Sequence, residues 1–169
     1  WSSTLFSTRK IAVVQSLCRT DDCIIRGIGK ADILAERSFR KEVQQLRIGK
    51  GEVFRGEGIL AITKALLENG VGSVGGYQGA PISHLMDVLA DAEEILGELG
   101  VRFESSASEA SAAASLAASV HYPIRGAITF KSTAGTNVAC DALANLASSG
   151  VTGGTLIIVG EDYGEGSSI

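Results

Sequence analysis

A repeated punctuation constrains this chain more than any single motif. Three times a stretch with helical apolar spacing ends at a glycine, and a short strand-like run follows within a few residues. Glu57 to Asn69 stops at Gly70 before Val71 to Tyr77. Ile82 to Leu99 stops at Gly100 before Val101 to Phe103. Asn137 to Ser149 stops at Gly150 before Thr155 to Val159. Glycine takes up the left-handed backbone that closes a helix, and a strand after each stop is the pattern of stacked βαβ units. Between the second and third stops lie an alanine- and serine-rich helix running to Val120 and a β-branched run from Gly126 to Phe130. The expected fold class is therefore α/β, a parallel sheet flanked by helices on both faces because crossovers are right-handed. Ligands of such sheets gather at the carboxyl ends of the strands. The loops expected at that edge are Gln78–Pro81, Ser105–Ser108, Lys131–Thr136 and Glu161–Ser168.

The 169 residues, 45% of them hydrophobic, can bury one full core. Residues 1–29 mix charges, hydroxyls and isolated apolar side chains without a sustained period, and read as a poorly ordered or non-native leader. Residues 30–50 read as a linker with a short helix, and 51–169 as the α/β domain. The chain opens on Trp1, its one methionine is Met86, and Ile169 follows a Gly-Glu-Gly-Ser-Ser loop. It reads as a piece of a longer protein whose last domain is truncated. A net charge of −4 gives no electrostatic footprint for nucleic acid. No apolar stretch reaches about 18 residues, so no membrane helix is expected. Cys18, Cys23 and Cys140 form no Cys-x-x-Cys pair and stand with only His84 and His121, so neither a disulfide framework nor a metal site is read, and a cytoplasmic setting fits.

Two carboxylates, Glu104 and Glu109, flank the mouth of the alanine/serine helix. Ser106-x-x-Glu109 has the form of a capping box, in which the glutamate returns to the N-cap amide. The competing reading is a carboxyl in an apolar setting made by the surrounding alanines, able to share a proton with a ligand nitrogen. Gly75-Gly76-Tyr77-Gln78-Gly79-Ala80-Pro81 reads either as a glycine-rich ligand loop or as a plain strand-to-helix turn; it is neither a P-loop nor a dinucleotide fingerprint. Lys131 to Asn137 reads as a polar strand-end loop, with Lys131, Thr136 and Asn137 as candidate substrate or partner contacts. His84 reads as a surface or packing histidine, and Cys140 as a small buried residue. No Ser-His-Asp or Cys-His arrangement supports hydrolysis.

Taken together, Glu104-x-x-x-x-Glu109-Ala110, the loop Gly76-Tyr77-Gln78-Gly79-Ala80-Pro81, and Phe130-Lys131-Ser132-Thr133-Ala134-Gly135-Thr136-Asn137-Val138-Ala139 with Asp141-Ala142-Leu143 resemble one family. It is the thiamine-diphosphate-dependent 2-oxoacid:ferredoxin oxidoreductases, and within it the indolepyruvate ferredoxin oxidoreductase alpha subunits. The likeness runs from about Gly51 to the C-terminus, over the family's amino-terminal pyrimidine-binding domain. The resemblance implies that Glu109 bonds the pyrimidine N1′ nitrogen, favouring the tautomer whose exocyclic nitrogen deprotonates the thiazolium carbon. It implies that Tyr77, Gln78, Gly79, Ala80 and Pro81 lie against the same ring. It also implies oxidative decarboxylation of an aryl pyruvate to an acyl-coenzyme A, with ferredoxin as electron acceptor. The Mg²⁺, the iron–sulfur clusters and the diphosphate-binding domain would belong to parts outside this chain, in an oligomeric assembly. Ala80 departs from the family's threonine and removes a hydroxyl from the loop. Two other classes stay open: a non-catalytic α/β scaffold module, and a different thiamine-diphosphate enzyme such as a decarboxylase or synthase.

Overall fold

The computed structural model describes residues 37–161 and the backbone of Ile11–Leu17. The strands are β1 (Ile11–Leu17), β2 (Ser73–Gly76), β3 (Arg102–Ser105), β4 (Gly126–Lys131) and β5 (Thr155–Glu161). The helices are α1 (Gly58–Glu68), α2 (Ser83–Asp91), α3 (Glu93–Glu98), α4 (Glu109–Ser115), α5 (Ala118–His121), α6 (Ala134–Val138) and α7 (Cys140–Ser149), preceded by a 3₁₀ helix at Glu42–Arg47. Gly70, Gly100 and Gly150 follow α1, α3 and α7 with φ of 68°, 69° and 69°. The helix-stopping glycines thus act as the sequence requires.

The strands pair in the order β1-β5-β4-β2-β3, all parallel. Side chains alternate between two cores, as a pleated strand demands. Ala127 of β4 and Ile158 of β5 join the core formed with α1, α2, α3 and the 3₁₀ helix. Ile128 and Phe130, with Ile157 and Val159, join the core under α4, α6 and α7. Full burial of side chains such as Leu60, Leu85 and Phe130 contributes about 1.5–3 kcal/mol each. The α/β expectation holds.

Four local expectations change. The sequence reading gave 1–29 no element, whereas the backbone of Ile11–Leu17 runs beside Thr155–Glu161 in parallel register; the remainder of 1–29 lies outside the described residues. The helix expected over Ile82–Leu99 is two, α2 and α3, meeting at the fully buried Ala92, whose φ of −93° and ψ of 6° bend the chain. The alanine/serine helix is likewise two, α4 and α5, as the chain turns after Leu116. Cys140 is exposed at the start of α7, while its neighbour Ala139 takes the buried position.

The segment before α1 is fastened to the domain by polar bonds as well as by Phe39. The Phe39 amide donates to Asp91 at 2.6 Å, and its ring meets the His84 imidazole edge-on at 5.9 Å. Arg47 and Glu98 form a two-point ion pair, with N···O distances of 2.5 and 2.8 Å. The Arg47 hydrogen bond is the main cause that holds the Glu98 carboxyl below its ordinary value. The same bond raises the Arg47 guanidinium above its own.

Candidate functional site

Topology marks one place on the sheet edge. The chain leaves β2 for β3 over one face, and leaves β4 for β5 over the other, yet β2 and β4 are neighbours. The chain leaves their carboxyl ends toward opposite faces, which makes this a topological switch point. Open α/β sheets bind ligands at such a switch point. The loop after β2 is Tyr77 to Ile82, and the loop after β4 begins at Ser132.

Two glycines let the strands reach this edge. A Cβ on Gly76, whose φ is 155°, would overlap the Thr129 carbonyl of β4, and one on Gly75 would overlap the Glu104 carbonyl of β3. Beyond them the Tyr77 amide donates to the Thr129 carbonyl at 3.0 Å, and the Ser106 amide to the Gly76 carbonyl at 2.8 Å. The Tyr77 ring is partly exposed, and the Gln78 amide donates to Asp87 at 2.9 Å. Asp87 also meets His84 Nδ1 at 3.0 Å, so α2 ties down the loop. A Cβ on Gly79 would stand 3.2 Å from the Lys131 Cβ, which brings the loop over the end of β4. The Ala80–Pro81 peptide is cis, and Ala80 is exposed.

Glu109 occupies the first turn of α4. The cap of that helix is Ser108: its hydroxyl accepts from the Ser111 amide at 3.2 Å, and the Ser111 hydroxyl accepts from the Ser108 amide at 3.0 Å. Ser106 and Glu109 therefore do not form the box their spacing allows, because the helix starts later and puts Glu109 first rather than third in its opening turn. The carboxyl is released from capping. It is half-buried and has no hydrogen-bond or ion-pair partner among the described residues. Its Cγ lies 3.2 Å from where a Cβ of Gly135 would stand, so α4 and α6 meet beside it.

The rest of the alanine/serine surface divides differently from the sequence expectation. Ala112 and Ala113 are fully buried in the core with Ala139 and Leu146, and let α4 approach α6 and α7 closely. They are core rather than an open apolar wall. Glu104 lies in the edge strand β3, exposed and paired with Arg102 at 3.1 Å, away from the start of α4.

After β4, Lys131 is half-buried and interacts within the structure. The Thr136 hydroxyl donates to the Thr133 carbonyl at 3.1 Å, which closes its own turn, and Asn137 is exposed. Sequence reasoning gave no separate weight to Ser132, Thr133 or Gly135. Ser132 is 4% exposed with a hydroxyl that has no partner among the described residues, and Thr133 has φ of 33°, a left-handed value for a β-branched residue. The one signal available was Gly135, directly after a polar strand-end run. The loop expected at Glu161–Ser168 lies beyond the described residues except for Glu161 itself. Among the described residues no helix is long and apolar enough to cross a membrane. No group of three acidic, histidine or cysteine side chains is placed to hold a metal ion among those same residues.

Over 117 residues, 69% of its length, the chain is 32% identical to the indolepyruvate oxidoreductase subunit IorA of Methanothermobacter marburgensis. It is 33% identical over 102 residues to the subunit of the same name from Methanothermobacter thermautotrophicus. The matched stretches make up 18% and 16% of those relatives, so the chain spans less than a fifth of their length. No family model matches the chain. No solved structure matches it either.

Proposed function

Because the chain belongs to the same family as those IorA subunits, we propose that it supplies the pyrimidine-binding half of a thiamine-diphosphate site in a 2-oxoacid:ferredoxin oxidoreductase. The observation that carries this reading is Glu109: a half-buried carboxyl at the sheet's switch-point edge, freed from capping by Ser108 and without a partner among the described residues. An aminopyrimidine is a flat ring edged by acceptor and donor nitrogens, and these residues fit one. The carboxyl can share a proton with a ring nitrogen, and the partly open loop at Tyr77–Ala80 offers backbone groups and an aromatic face. Thiamine diphosphate, when bound, supplies the nucleophilic carbon and electron sink that decarboxylation of a 2-oxoacid requires.

This chain's own part is narrower. Glu109 holds or accepts one proton at its carboxyl oxygens and so fixes the ring's tautomer. The Tyr77–Pro81 loop, held by Asp87 through Gln78, covers one side and limits water. Lys131 and Asn137 stand at the same edge, where a substrate carboxylate or a partner domain would approach. The diphosphate, its Mg²⁺, the iron–sulfur centres, ferredoxin and coenzyme A are assigned to other parts of the assembly, with an aryl pyruvate as substrate.

The test is Glu109→Gln in the complete oxidoreductase. Loss of a positioned proton-transfer group lowers kcat by roughly 10²-fold or more, and retention of activity within about threefold would sink the assignment. Full activity with Gln at this position would leave the domain as a scaffold.

A further inference from the structure

The carboxyl proposed to tune the ring is itself aimed by something, and across from its stem stands Gly135 of α6, with room for no Cβ between them. This inference rests on the reading of Glu109 given above. We propose that Gly135 is a positioning residue for Glu109: its bare Cα, set in place by the turn at Ser132–Thr133, fixes the line along which the carboxylate leaves α4.

A Cβ at Gly135 would stand 2.9 Å from the Phe130 ring and 3.2 Å from Glu109 Cγ. The Phe130 ring is fully buried and cannot retreat, since it fills the core beneath α4 and α6. Glu109 is half-exposed and can. A methyl group at 135 therefore pushes against a fixed wall on one side and a mobile stem on the other, and the stem gives way. The carboxylate swings with it, because it lies one bond beyond Cγ.

The backbone that delivers Gly135 is also unusual. Thr133 takes φ of 33°, and the Gly135 amide then donates to the Ser132 carbonyl at 3.0 Å, a turn that folds the chain back over the end of β4. The Thr133 carbonyl is held in turn by the Asn137 amide at 3.0 Å and the Thr136 hydroxyl. Gly135 is held at both ends, its amide by the Ser132 carbonyl and its carbonyl by the Ala139 amide at 2.9 Å. None of these bonds reaches the Glu109 carboxyl, which leaves steric contact as the means of control.

The test is a double-mutant cycle in the complete oxidoreductase with Gly135→Ala, Glu109→Gln and both together. Gly135→Ala is expected to lower kcat by about tenfold or more, as misplacement of a reacting group by a fraction of an ångström does. It should also weaken thiamine diphosphate binding measured by calorimetry, and move the pH profile of kcat. Added to Glu109→Gln it should change none of these further, because the residue it acts through is already disabled. Phe130→Leu/Gly135→Ala is the second variant: the shorter side chain removes the wall and lets the methyl move away from Glu109. Its kcat should return to that of Phe130→Leu alone, and a tenfold loss relative to Phe130→Leu would overturn the steric role. Additive losses in the cycle, or an unmoved pH profile, would overturn the positioning role. Full activity of Glu109→Gln would instead overturn the functional reading beneath it, so the two failures are distinct.

Discussion

Ser108 and Glu109 are adjacent, and the structure assigns them opposite consequences on substitution. Ser108→Ala removes the hydroxyl that accepts from the Ser111 amide at 3.2 Å and leaves that amide without its cap. Loss of a serine cap costs about 0.5–2 kcal/mol, typically ~1. For a domain of this size, roughly 1 kcal/mol lowers Tm by about 2–4 °C. Glu109→Gln removes a negative charge from the first turn, which costs about 0.3–1 kcal/mol through the helix dipole. Relief of a half-buried charge with no partner offsets that loss. The expected shift for Glu109→Gln is therefore within about 1 °C of zero. Thermal unfolding of the two variants, followed by circular dichroism, compares them directly. Activity of the assembly should reverse the order, with Ser108→Ala nearly normal and Glu109→Gln impaired. A Glu109→Gln variant that melts as early as Ser108→Ala would refute the reasoning, because it would return the carboxyl to a capping role.

Other outcomes follow from single contacts. Thr133→Gly should raise stability by about 1 kcal/mol in urea titration, since relief of a strained φ gains about 1–3 kcal/mol against roughly 0.5–1 for glycine's entropy. Gly76→Ala should destabilise by at least about 2 kcal/mol, because its Cβ meets the Thr129 carbonyl of a neighbouring strand while φ stays at 155°; the urea midpoint measures this. The Glu98 carboxyl is held low by Arg47, so its contribution is present above its ordinary value of 4.5 and is lost as pH falls through the lower folded value. Wild type and Glu98→Gln should accordingly converge in urea midpoint in acid and separate at neutral pH, with high salt narrowing the gap.

The architecture was legible because it is written in backbone chemistry that needs no tertiary context. Gly70, Gly100 and Gly150 stop helices by their φ alone, and the apolar runs after them have nowhere to go but a sheet. The start of α4 was misread for the opposite reason. Ser106, Ser108 and Ser111 offer several caps at compatible spacings, and only the path of the chain out of β3 selects Ser108. The breaks at Ala92 and after Leu116 were likewise invisible, since alanine and leucine carry no stop signal. Cys140 failed by a single residue of helical phase, with Ala139 inside and the cysteine outside. Among the candidate residues, Glu109 and the Tyr77–Pro81 loop could be picked out by type, whereas Gly135 stands out only as a glycine just past a polar strand-end run. Its importance lies in an absent side chain, and only coordinates show what that absence admits.

Three departures from ordinary packing fall within one small volume. Among the described residues, Ser132 buries a hydroxyl with no partner, Thr133 adopts a backbone suited to glycine, and Glu109 is half-buried without a counter-charge. Gly135 faces the stem of the last of these, 3.2 Å from where its Cβ would stand, and follows the first two in sequence. Several polar groups around the site are committed: Gln78 and His84 to Asp87, Thr136 to the Thr133 carbonyl, Arg102 to Glu104. Buried hydroxyls without a partner among the described residues also occur at Thr129 and Thr155, but the backbone strain at Thr133, of about 1–3 kcal/mol, lies at the sheet edge where the topology switches. Strain at a sheet edge of this kind is expected where a bound group contributes to the site, and a ring nitrogen sharing the Glu109 proton would give that carboxyl the partner it lacks among the described residues. That is why the proposed cofactor contact and the proposed role of Gly135 stand on the same few residues, and why the double-mutant cycle between them probes both.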